Sequence, residues 1–419
     1  MMTAIELSVG LEEWPISVPS DRLMDLHRPP MSPPTATPRQ LTREALEHPF
    51  GFEALRRALT PDDHITLVLD DRLPHAAEMV AAVLEHLRTA EIGPDCVTVL
   101  TAPRTTTLAE NDSPAERLED RWIAELPDEF ADVKTEIHAP TNRSRLAYLA
   151  TTQSGRRLYL NRTLVEADFI IVVSGRGYDP ISGYSGGEVA LFPTFADEET
   201  RASFAEEFSS DAPGTEPWPI RAEAAEIAWL LGTPFFVQAI AGPGDSIADV
   251  VAGLPDSTAE GVRRLDARWR SHVTKRAETV IATISGDPSR LEFASLAKAA
   301  ACAARVVKSN GRIVLLTSSA PEAPEAVDRL RSMDDPAHAA KRLAKEKPEG
   351  APAALQWCHA ARHASIFLAS EYPEEFVEEL FATALTSPSE VQRLIDSSGE
   401  VLIIPDADKS LVTVLRSKG

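Results

Sequence analysis

Cysteine is scarce in this chain of 419 residues. The three cysteines, Cys96, Cys302 and Cys358, are scattered and form no CxxC motif. The sequence therefore gives no sign of a disulfide framework or of a thiolate metal site. Cys96 opens a predicted strand and Cys302 lies in an alanine-rich predicted helix. We expect buried, reduced thiols at both positions.

Basic residues are also in short supply. Lysine and arginine number 42 against 64 acidic residues, so the formal net charge is −22. This charge repels nucleic acids and anionic membrane surfaces, which excludes both as expected partners. It leaves open a small anionic ligand held in a local pocket.

Long apolar runs are missing as well. No stretch approaches the length of a membrane span, and the first residues lack the basic and apolar regions of a signal peptide. We therefore expect a cytoplasmic protein. The apolar content of 43% and the charged content of 25% are typical of a globular enzyme-like protein.

Short apolar runs alternate along the chain with segments of helical periodicity. The predicted strands are Ile65–Leu69, Val97–Thr101, Phe169–Val173, Phe235–Ala239, Thr279–Ile284, Ile313–Thr317, Ser365–Ala369 and Val401–Ile404. The predicted helices are His75–Thr89, Pro114–Leu126, Ala222–Leu231, Thr258–Arg276, Leu291–Lys308, Pro324–Ser332 and Pro373–Leu385. Strands that are apolar throughout predict parallel sheets covered by helices on both faces.

The length of the chain favours two domains over one. We predict an α/β fold with two α/β domains, residues 1–272 and 273–419, whose mostly parallel sheets are flanked by helices. A proline-rich arm precedes the first predicted helix, with a possible strand at residues 5–9. Ligands of such folds bind beyond the carboxyl ends of the strands, so we expect an interdomain cleft there.

One glycine-rich turn stands out. Residues 183–189 read Gly-Tyr-Ser-Gly-Gly-Glu-Val and follow the apolar run of residues 168–175, which predicts a buried parallel strand. Three glycines allow the backbone to pass close to a ligand and to present N–H groups to an anion. A tight connection without a ligand is the plainer interpretation.

The residues around this turn form a longer pattern. The segment from Asn161 to Pro193 combines an ADxxI strand, the turn, and a proline that ends the following apolar stretch. Further motifs, in chain order, are Pro49-Phe50-Gly51, Ile65–Leu69 before Asp70-Asp71, Val97–Thr101 before Arg104 and Glu110, Val280–Pro288 before Lys298, and Asn310-Gly311. With these motifs the sequence resembles the nickel-pincer lactate racemase family over nearly its full length.

The resemblance implies a 2-hydroxy acid racemase or epimerase. In that family a nickel-pincer nucleotide is tethered to a lysine, and hydride moves between this cofactor and the substrate Cα while histidines transfer the hydroxyl proton. Such chemistry needs a tuned base on each face of the substrate and a cation for its carboxylate.

The chain departs from the family at the residues that carry this chemistry. Val189 stands where the family has its tethering lysine. The family's histidine positions are taken by Pro103, Asp179 and the region of Ala205. Residues 139–271 contain no histidine, so a small shift in alignment does not restore two of them.

The groups that remain predict a candidate site. The expected cofactor-binding residues are Ser185, Gly186, Gly187, Asp70, Arg72 and Arg104, with Arg72 one place from the family's arginine. The expected substitutes for the catalytic groups are Asp179, His75 and Lys298. Plainer interpretations are surface ion pairs for the arginines, a turn residue for the aspartate, and helix residues for the histidine and the lysine.

His359 and His363 stand four residues apart on a predicted helix, next to Cys358. This spacing is typical of a pair of zinc ligands. Neither a third ligand at suitable spacing nor an intervening glutamate accompanies them, so we expect structural or surface histidines and no metal site.

Two hypotheses about function follow. The first is an isomerase that binds a nickel-pincer nucleotide without a covalent tether and acts on a 2-hydroxy acid with altered or reduced activity. The second is a non-catalytic binder of a phosphorylated or carboxylate metabolite, held by the glycine-rich turn and its arginines.

Overall fold

Strands and helices alternate along the chain in the computed structural model, which describes residues 2–9, 12–28, 34–102, 121–152, 155–204, 208–209, 212–213 and 218–415. The strands are β1 Met2–Val9, β2 Glu12–Pro19, β3 Ile65–Leu69, β4 Val97–Thr101, β5 Lys134–Ile137, β6 Leu146–Thr151, β7 Arg157–Asn161, β8 Phe169–Asp179, β9 Gly183–Ser185, β10 Phe235–Ala241, β11 Ile247–Gly253, β12 Arg270–Val273, β13 Ala277–Thr283, β14 Val307–Leu316, β15 Ser365–Ala369, β16 Ala382–Ala384, β17 Val401–Ile404 and β18 Leu411–Val414. The helices are α1 Pro38–Glu47, α2 Ala76–Arg88, α3 Arg121–Ala124, α4 Arg162–Val165, α5 Glu188–Leu191, α6 Glu198–Phe204, α7 Pro219–Leu230, α8 Ser257–Trp269, α9 Phe293–Ala304, α10 Glu325–Arg331, α11 Pro336–Glu346, α12 Ala351–His363, α13 Glu374–Glu379 and α14 Pro388–Asp396.

The first large sheet, called here the N-terminal sheet, has the strand order β11-β10-β8-β3-β4-β5. Neighbouring strands are parallel except β10 and β11, and β9 folds back antiparallel on the end of β8. The chain first extends the sheet from β3 to β4 and β5, and then continues it on the other side of β3 with β8. The order of strands therefore reverses between β3 and β8, and the connections that follow these strands run to opposite sides, which leaves a crevice between them.

Helices cover both faces of this sheet. Successive side chains of β3 point to opposite faces, so Leu67 and Leu69 join a core formed with α1 and α2. Val68 joins the opposite core, to which α4, α5 and α7 contribute. All five side chains of β3 are buried as a result, which explains its continuous apolar sequence.

The second sheet, called the C-terminal sheet, has the order β16-β15-β14-β13-β17 and is parallel throughout. Its strand order reverses between β13 and β17. The predicted α/β class with two mostly parallel sheets is confirmed.

The N-terminal arm forms a hairpin, β1–β2, that packs on the C-terminal sheet. Val18 and Ile16 share one apolar core with Ile281 and Val314 of that sheet. Residues beyond the hairpin continue along β17, since Leu23 forms a bridge with Val401. The arm therefore packs with the C-terminal part of the chain, although the predicted boundary had grouped it with residues up to 272.

Three predicted helices are too long. The helix predicted as Leu291–Lys308 ends at Ala304, and β14 begins at Val307. The helix predicted as Thr258–Arg276 ends at Trp269, because Arg270–Val273 form β12 and pair with β18. The helix predicted as Pro373–Leu385 ends at Glu379, and β16 follows it as the edge strand of the C-terminal sheet. Both short strands pair with segments that are distant in sequence, so local periodicity could not distinguish them from helix ends.

The loops at the reversal point of the C-terminal sheet contact the N-terminal sheet. The Lys409 ammonium donates hydrogen bonds to the Gly242 carbonyl at 3.4 Å, to the Gly244 carbonyl, and to Asp406 Oδ1 at 3.0 Å. The Gly244 N–H also donates to Asp406 Oδ1, at 3.3 Å. These contacts join the loop between β10 and β11 to the loop after β17.

Asp408 lies in the same loop, in an environment that is unfavourable for its ionised carboxylate. Its Oδ1 is buried and has no hydrogen-bond partner among the described residues. Desolvation, together with the nearby Asp406 carboxylate, raises the pKa of Asp408 to about 6, although Lys409 and Lys298 counteract this. The folded protein therefore disfavours the ionised form of this side chain.

No helix among the described residues is long and apolar enough to cross a membrane.

Packing of the arm can be tested with Ile16→Ala. Loss of a buried isoleucine side chain costs about 2–5 kcal/mol, so we expect a lower free energy of unfolding in urea. Amide hydrogen exchange should quicken in β13 and β14 more than in β3 and β8. Met2→Ala, at a position that is 55% exposed on the same hairpin, is the matched control. Equal loss of protection in both sheets would contradict this packing.

Asp408→Asn should stabilise the protein in a pH-dependent way. The folded-state pKa of about 6 exceeds the ordinary aspartate value of 3.8, so stability falls as pH rises between these values and the penalty is complete above pH 6. We expect a gain of about 1–3 kcal/mol at pH 7.5, since one unit of pKa corresponds to about 1.4 kcal/mol, and no gain at pH 4. Thermal melts across this range, with the exposed Asp62→Asn as control, measure the difference. A gain of equal size at both pH values would show that ionisation is not its cause.

Candidate functional site

A pocket of about 550 Å³ lies at the carboxyl ends of β3 and β8, where the strand order of the N-terminal sheet reverses. Its polar lining comprises Asp70, Asp71, Arg72, Ser174, Asp179, Ser182, Ser185, Thr194, Arg201 and Glu292. Its apolar and glycine lining comprises Val68, Leu69, Ala102, Val173, Gly175, Ile181, Gly186, Val189, Ala190, Pro193, Phe195, Phe204 and Ile220. The position is the one at which α/β sheets bind ligands.

Asp70 follows β3 directly and lies beside β8. Its N–H donates to the Val173 carbonyl at 3.0 Å, which continues the pairing of the two strands by one bond. The side chain is accessible from the pocket, but the surrounding protein desolvates it and raises its pKa. Backbone N–H groups of Gly175 and Arg72 and the charges of Arg72 and Lys298 counteract this shift.

Arg72 reaches across to the C-terminal part of the chain. Its guanidinium forms an ion pair with Glu292, which immediately precedes α9. Both side chains are part-exposed and both line the pocket. The pair therefore connects the N-terminal sheet to the C-terminal part at the wall of the pocket.

The glycine-rich turn is the returning strand of a β-hairpin. β8 continues past the predicted Phe169–Val173 to Asp179, and β9 pairs with it in the opposite direction. Asp179 closes this hairpin. Its Oδ1 accepts hydrogen bonds from the N–H groups of Ile181 at 2.9 Å and Ser182 at 2.7 Å, and from the Ser182 hydroxyl at 2.8 Å. This oxygen is therefore engaged in the turn, as the plainer interpretation expects.

Close packing within the protein explains the two adjacent glycines. Gly186 and Gly187 both adopt positive φ, 75° and 62°. A Cβ atom on Gly186 would lie 2.4 Å from the Gly175 carbonyl oxygen, and one on Gly187 would lie 2.5 Å from the guanidinium of Arg176. The Gly187 N–H donates to Ser174 Oγ at 3.2 Å. Side chains are thus excluded here by the protein itself.

The other predicted residues lie in different places. Lys298, on α9, acts electrostatically on Asp70 and on Asp408, so it lies near the pocket without lining it. His75 precedes α2, pairs with Glu78 at 2.9 Å and is not part of the pocket lining. Arg104 and Pro103 lie outside the described residues, as does Ala205.

The pocket therefore brings together Asp70, Arg72, Asp179, Ser185 and Gly186, and leaves Gly187, His75 and Lys298 outside its lining. Ser174, Arg201 and Glu292 also line it but were not predicted. Ser174 could have been found because it ends an apolar strand run. Glu292 carries no such signal, because the packing of the two sheets places it there.

The two histidines with zinc-like spacing have structural contacts, and the cysteines differ in burial. His359 packs its ring against Phe208, and His363 Nε2 lies 3.1 Å from the Val307 carbonyl. Cys302 and Cys358 are buried, whereas Cys96 is only half-buried. Within the described residues, no three His, Cys, Asp or Glu side chains are grouped in a way that could hold a metal ion.

Comparisons with known proteins agree with this architecture. Residues 9–210 match the family described as the lactate racemase N-terminal domain. The lactate racemase apoprotein of Thermoanaerobacterium thermosaccharolyticum has a TM-score of 0.80 and 18% sequence identity, with 98% of this chain and 100% of that chain covered. A Thermotoga maritima protein solved by structural genomics has a TM-score of 0.66 and 14% identity, with 92% and 100% covered.

The chain matches none of the curated proteins. Structural likeness at such low identity shows a shared fold alone, whereas the N-terminal family match rests on sequence. These findings show that the chain has the fold of the lactate racemase apoprotein and that its residues 9–210 match the lactate racemase N-terminal domain.

Proposed function

We propose that this protein binds a small hydroxylated carboxylate in the pocket between β3 and β8, and that racemisation by its family's hydride-transfer route is absent or strongly reduced. Val189 is the observation that carries the second part. It stands at the family's tether position and lines the pocket with an apolar side chain. The volume of about 550 Å³ is within the range of small-molecule sites, about 300–1,000 Å³.

The polar groups of the pocket support this class of ligand. Arg72 supplies a cation for a carboxylate, and a guanidinium that is already paired on one side still has further N–H donors. Asp70 and Asp71 supply acceptors for hydroxyl groups. Phe195 and Ile220 form part of an apolar wall for the carbon chain.

The family resemblance makes a nickel-pincer nucleotide plausible, but these residues do not fit its tethered form. The covalent link needs an amine, and Val189 has none. The described lining of the pocket contains no lysine, histidine or cysteine. Four carboxylates line the pocket, whereas its two arginines each pair with a glutamate, Arg72 with Glu292 and Arg201 with Glu198. A nucleotide phosphate, which carries up to two negative charges, would be repelled there more strongly than the single charge of a carboxylate.

An isomerase with substitute bases has weaker support. Lys298 lies close enough to act on Asp70, which favours it. Asp179, however, has one oxygen engaged in three hydrogen bonds of the hairpin, and His75 lies outside the pocket lining. This arrangement does not place two bases on opposite faces of one ligand.

Intact-mass analysis tests the loss of the tether. The protein is co-expressed with the enzymes that make the nickel-pincer nucleotide and is then measured by mass spectrometry. We expect the unmodified mass of the 419-residue chain. Val189→Lys, prepared in the same way, shows whether an amine restored at this position acquires the nucleotide. An adduct on the unsubstituted chain would show that another residue has taken over the role.

Ligand binding and activity are tested together on the same co-expressed protein. Calorimetric titration with 2-hydroxy acids, from L-lactate to a six-carbon sugar acid, should give saturable binding. Arg72→Gln should weaken it by about 10- to 100-fold, because a hydrogen bond to a charged group contributes about 1.5–3 kcal/mol. Arg43→Gln, at an exposed ion pair on α1, should have no effect.

Racemisation of D- or L-lactate should stay at background, since loss of a general base alone costs about 10²–10⁴-fold in rate. Lactate turnover at ordinary enzymatic rates would overturn the proposed loss of activity. Absence of binding to every acid in the series would overturn the proposed ligand class.

A further inference from the structure

A single buried arginine holds the glycine-rich hairpin in place. Arg176, on β8, is only 4% exposed. Its Nη1 donates hydrogen bonds to the carbonyls of Ser185 at 3.0 Å and Gly186 at 2.9 Å. Its Nε donates to Gln238 Oε1 at 2.6 Å and its Nη2 to the Thr258 carbonyl at 3.1 Å. One guanidinium thus joins the hairpin, β10 and α8.

The acceptors of Arg176 are all neutral. Glu188 is the carboxylate that acts on it electrostatically, without a hydrogen bond to it. Desolvation lowers the pKa of Arg176 to about 10, so the side chain remains cationic at neutral pH. A buried cation without a paired carboxylate polarises the peptide groups that accept its hydrogen bonds.

The surrounding chain makes room for this guanidinium. A Cβ atom on Gly187 would lie 2.5 Å from Arg176 Nη2. A Cβ atom on Gly261 of α8 would lie 3.1 Å from Arg176 Nε and 2.4 Å from Gln238 Oε1. Arg176 therefore excludes a side chain at Gly187, and Gln238 together with Arg176 excludes one at Gly261.

Peptide geometry fixes where the opposite side of the hairpin points. The peptide between Ser185 and Gly186 is trans, so its N–H is directed opposite to its carbonyl. The Ser185 carbonyl faces Arg176, and the Gly186 N–H therefore points away from Arg176. Ser185 and Gly186 line the pocket, whereas Arg176 does not. The Gly187 N–H is already engaged by Ser174 Oγ.

We propose that Arg176 is a positioning residue that turns the Ser185–Gly186 peptide so that the Gly186 N–H donates to an anionic oxygen of the bound ligand. This inference rests on the proposed binding of a carboxylate in the same pocket. It assigns recognition to one N–H rather than to the three N–H groups of Ser185, Gly186 and Gly187. The neighbouring Arg72 supplies the second contact to the anion.

Selective isotope labelling can observe this N–H directly. The protein is made with serine labelled with ¹³C at the carbonyl and glycine labelled with ¹⁵N. A spectrum that selects ¹⁵N amides bonded to a ¹³C carbonyl then shows only the glycines that follow a serine, which are Gly155, Gly175, Gly183, Gly186, Gly286 and Gly399. Titration with L-lactate, and separately with inorganic phosphate, should shift the Gly186 signal in a saturable way. Gly399, near Glu278 and outside the pocket lining, is the internal control.

The outcomes of the titration separate the two proposals. A saturable shift at Gly175 with none at Gly186 would overturn the role of the Gly186 N–H and leave binding in the pocket intact. Absence of a shift at both glycines with either probe would overturn both proposals. A response to phosphate but not to L-lactate would retain the anion donor and overturn the carboxylate as its ligand.

Arg176→Lys tests the positioning role, because a lysine ammonium cannot reproduce the planar set of donors. We expect the dissociation constant for L-lactate to rise by about tenfold or more, as for loss of one charge-assisted contact. The Gly186 response should shrink while that of Gly175 persists. Arg264→Lys, at an ion pair of α8 with Glu260 and Asp249, is the matched control.

A purely structural role gives a different result: Arg176→Lys would then lower the melting temperature and leave both the dissociation constant and the Gly186 response unchanged. If this variant does not fold, Gln238→Glu replaces it. A carboxylate at the position of Gln238 Oε1 would pair with Arg176 Nε and neutralise its charge, so we again expect weaker binding and a smaller Gly186 response. An unchanged response in Gln238→Glu would overturn the proposal.

Discussion

The N–H groups of a buried guanidinium need hydrogen-bond acceptors, and this constraint determines how the wall of the pocket is built. Arg176 meets it with a glutamine side chain and three carbonyls from separate elements. Its hydrogen bonds keep β9 against β8 and hold α8 near β10. Without them, the buried Gly186 carbonyl would lose this partner, at a cost of about 1–3 kcal/mol.

The sequence was most informative where strands are buried on both faces. The bounds of β3, β4, β15 and β17 were predicted correctly, because parallel strands covered on both faces are predominantly apolar. The short strands β9, β12 and β16 were missed, because each depends on a partner strand rather than on its own composition. The predicted family resemblance and the α/β class are confirmed.

The site could be predicted only in part, for the same reason. Asp70 and Arg72 were found because they follow a recognisable strand, and such positions lie at the carboxyl edge of a sheet. Glu292 and Arg176 could not be found in this way. Glu292 reaches the pocket only through the packing of the two sheets, and Arg176 contacts the side of the hairpin that faces away from the pocket. The glycines were predicted to let the backbone approach a ligand, and the close contacts that the structure shows at Gly186 and Gly187 are with the protein itself.

The packing of the N-terminal hairpin has a consequence for synthesis on the ribosome. Val18 belongs to one apolar core with Val391 and Val401, which are translated long after it. The N-terminal sheet can assemble while the remainder is still being made, since domains fold as their residues emerge. The hairpin cannot, because its binding surface does not yet exist. The hairpin therefore leaves the ribosome well before the strands and the helix on which it packs, and its apolar side chains lack this cover until those elements emerge.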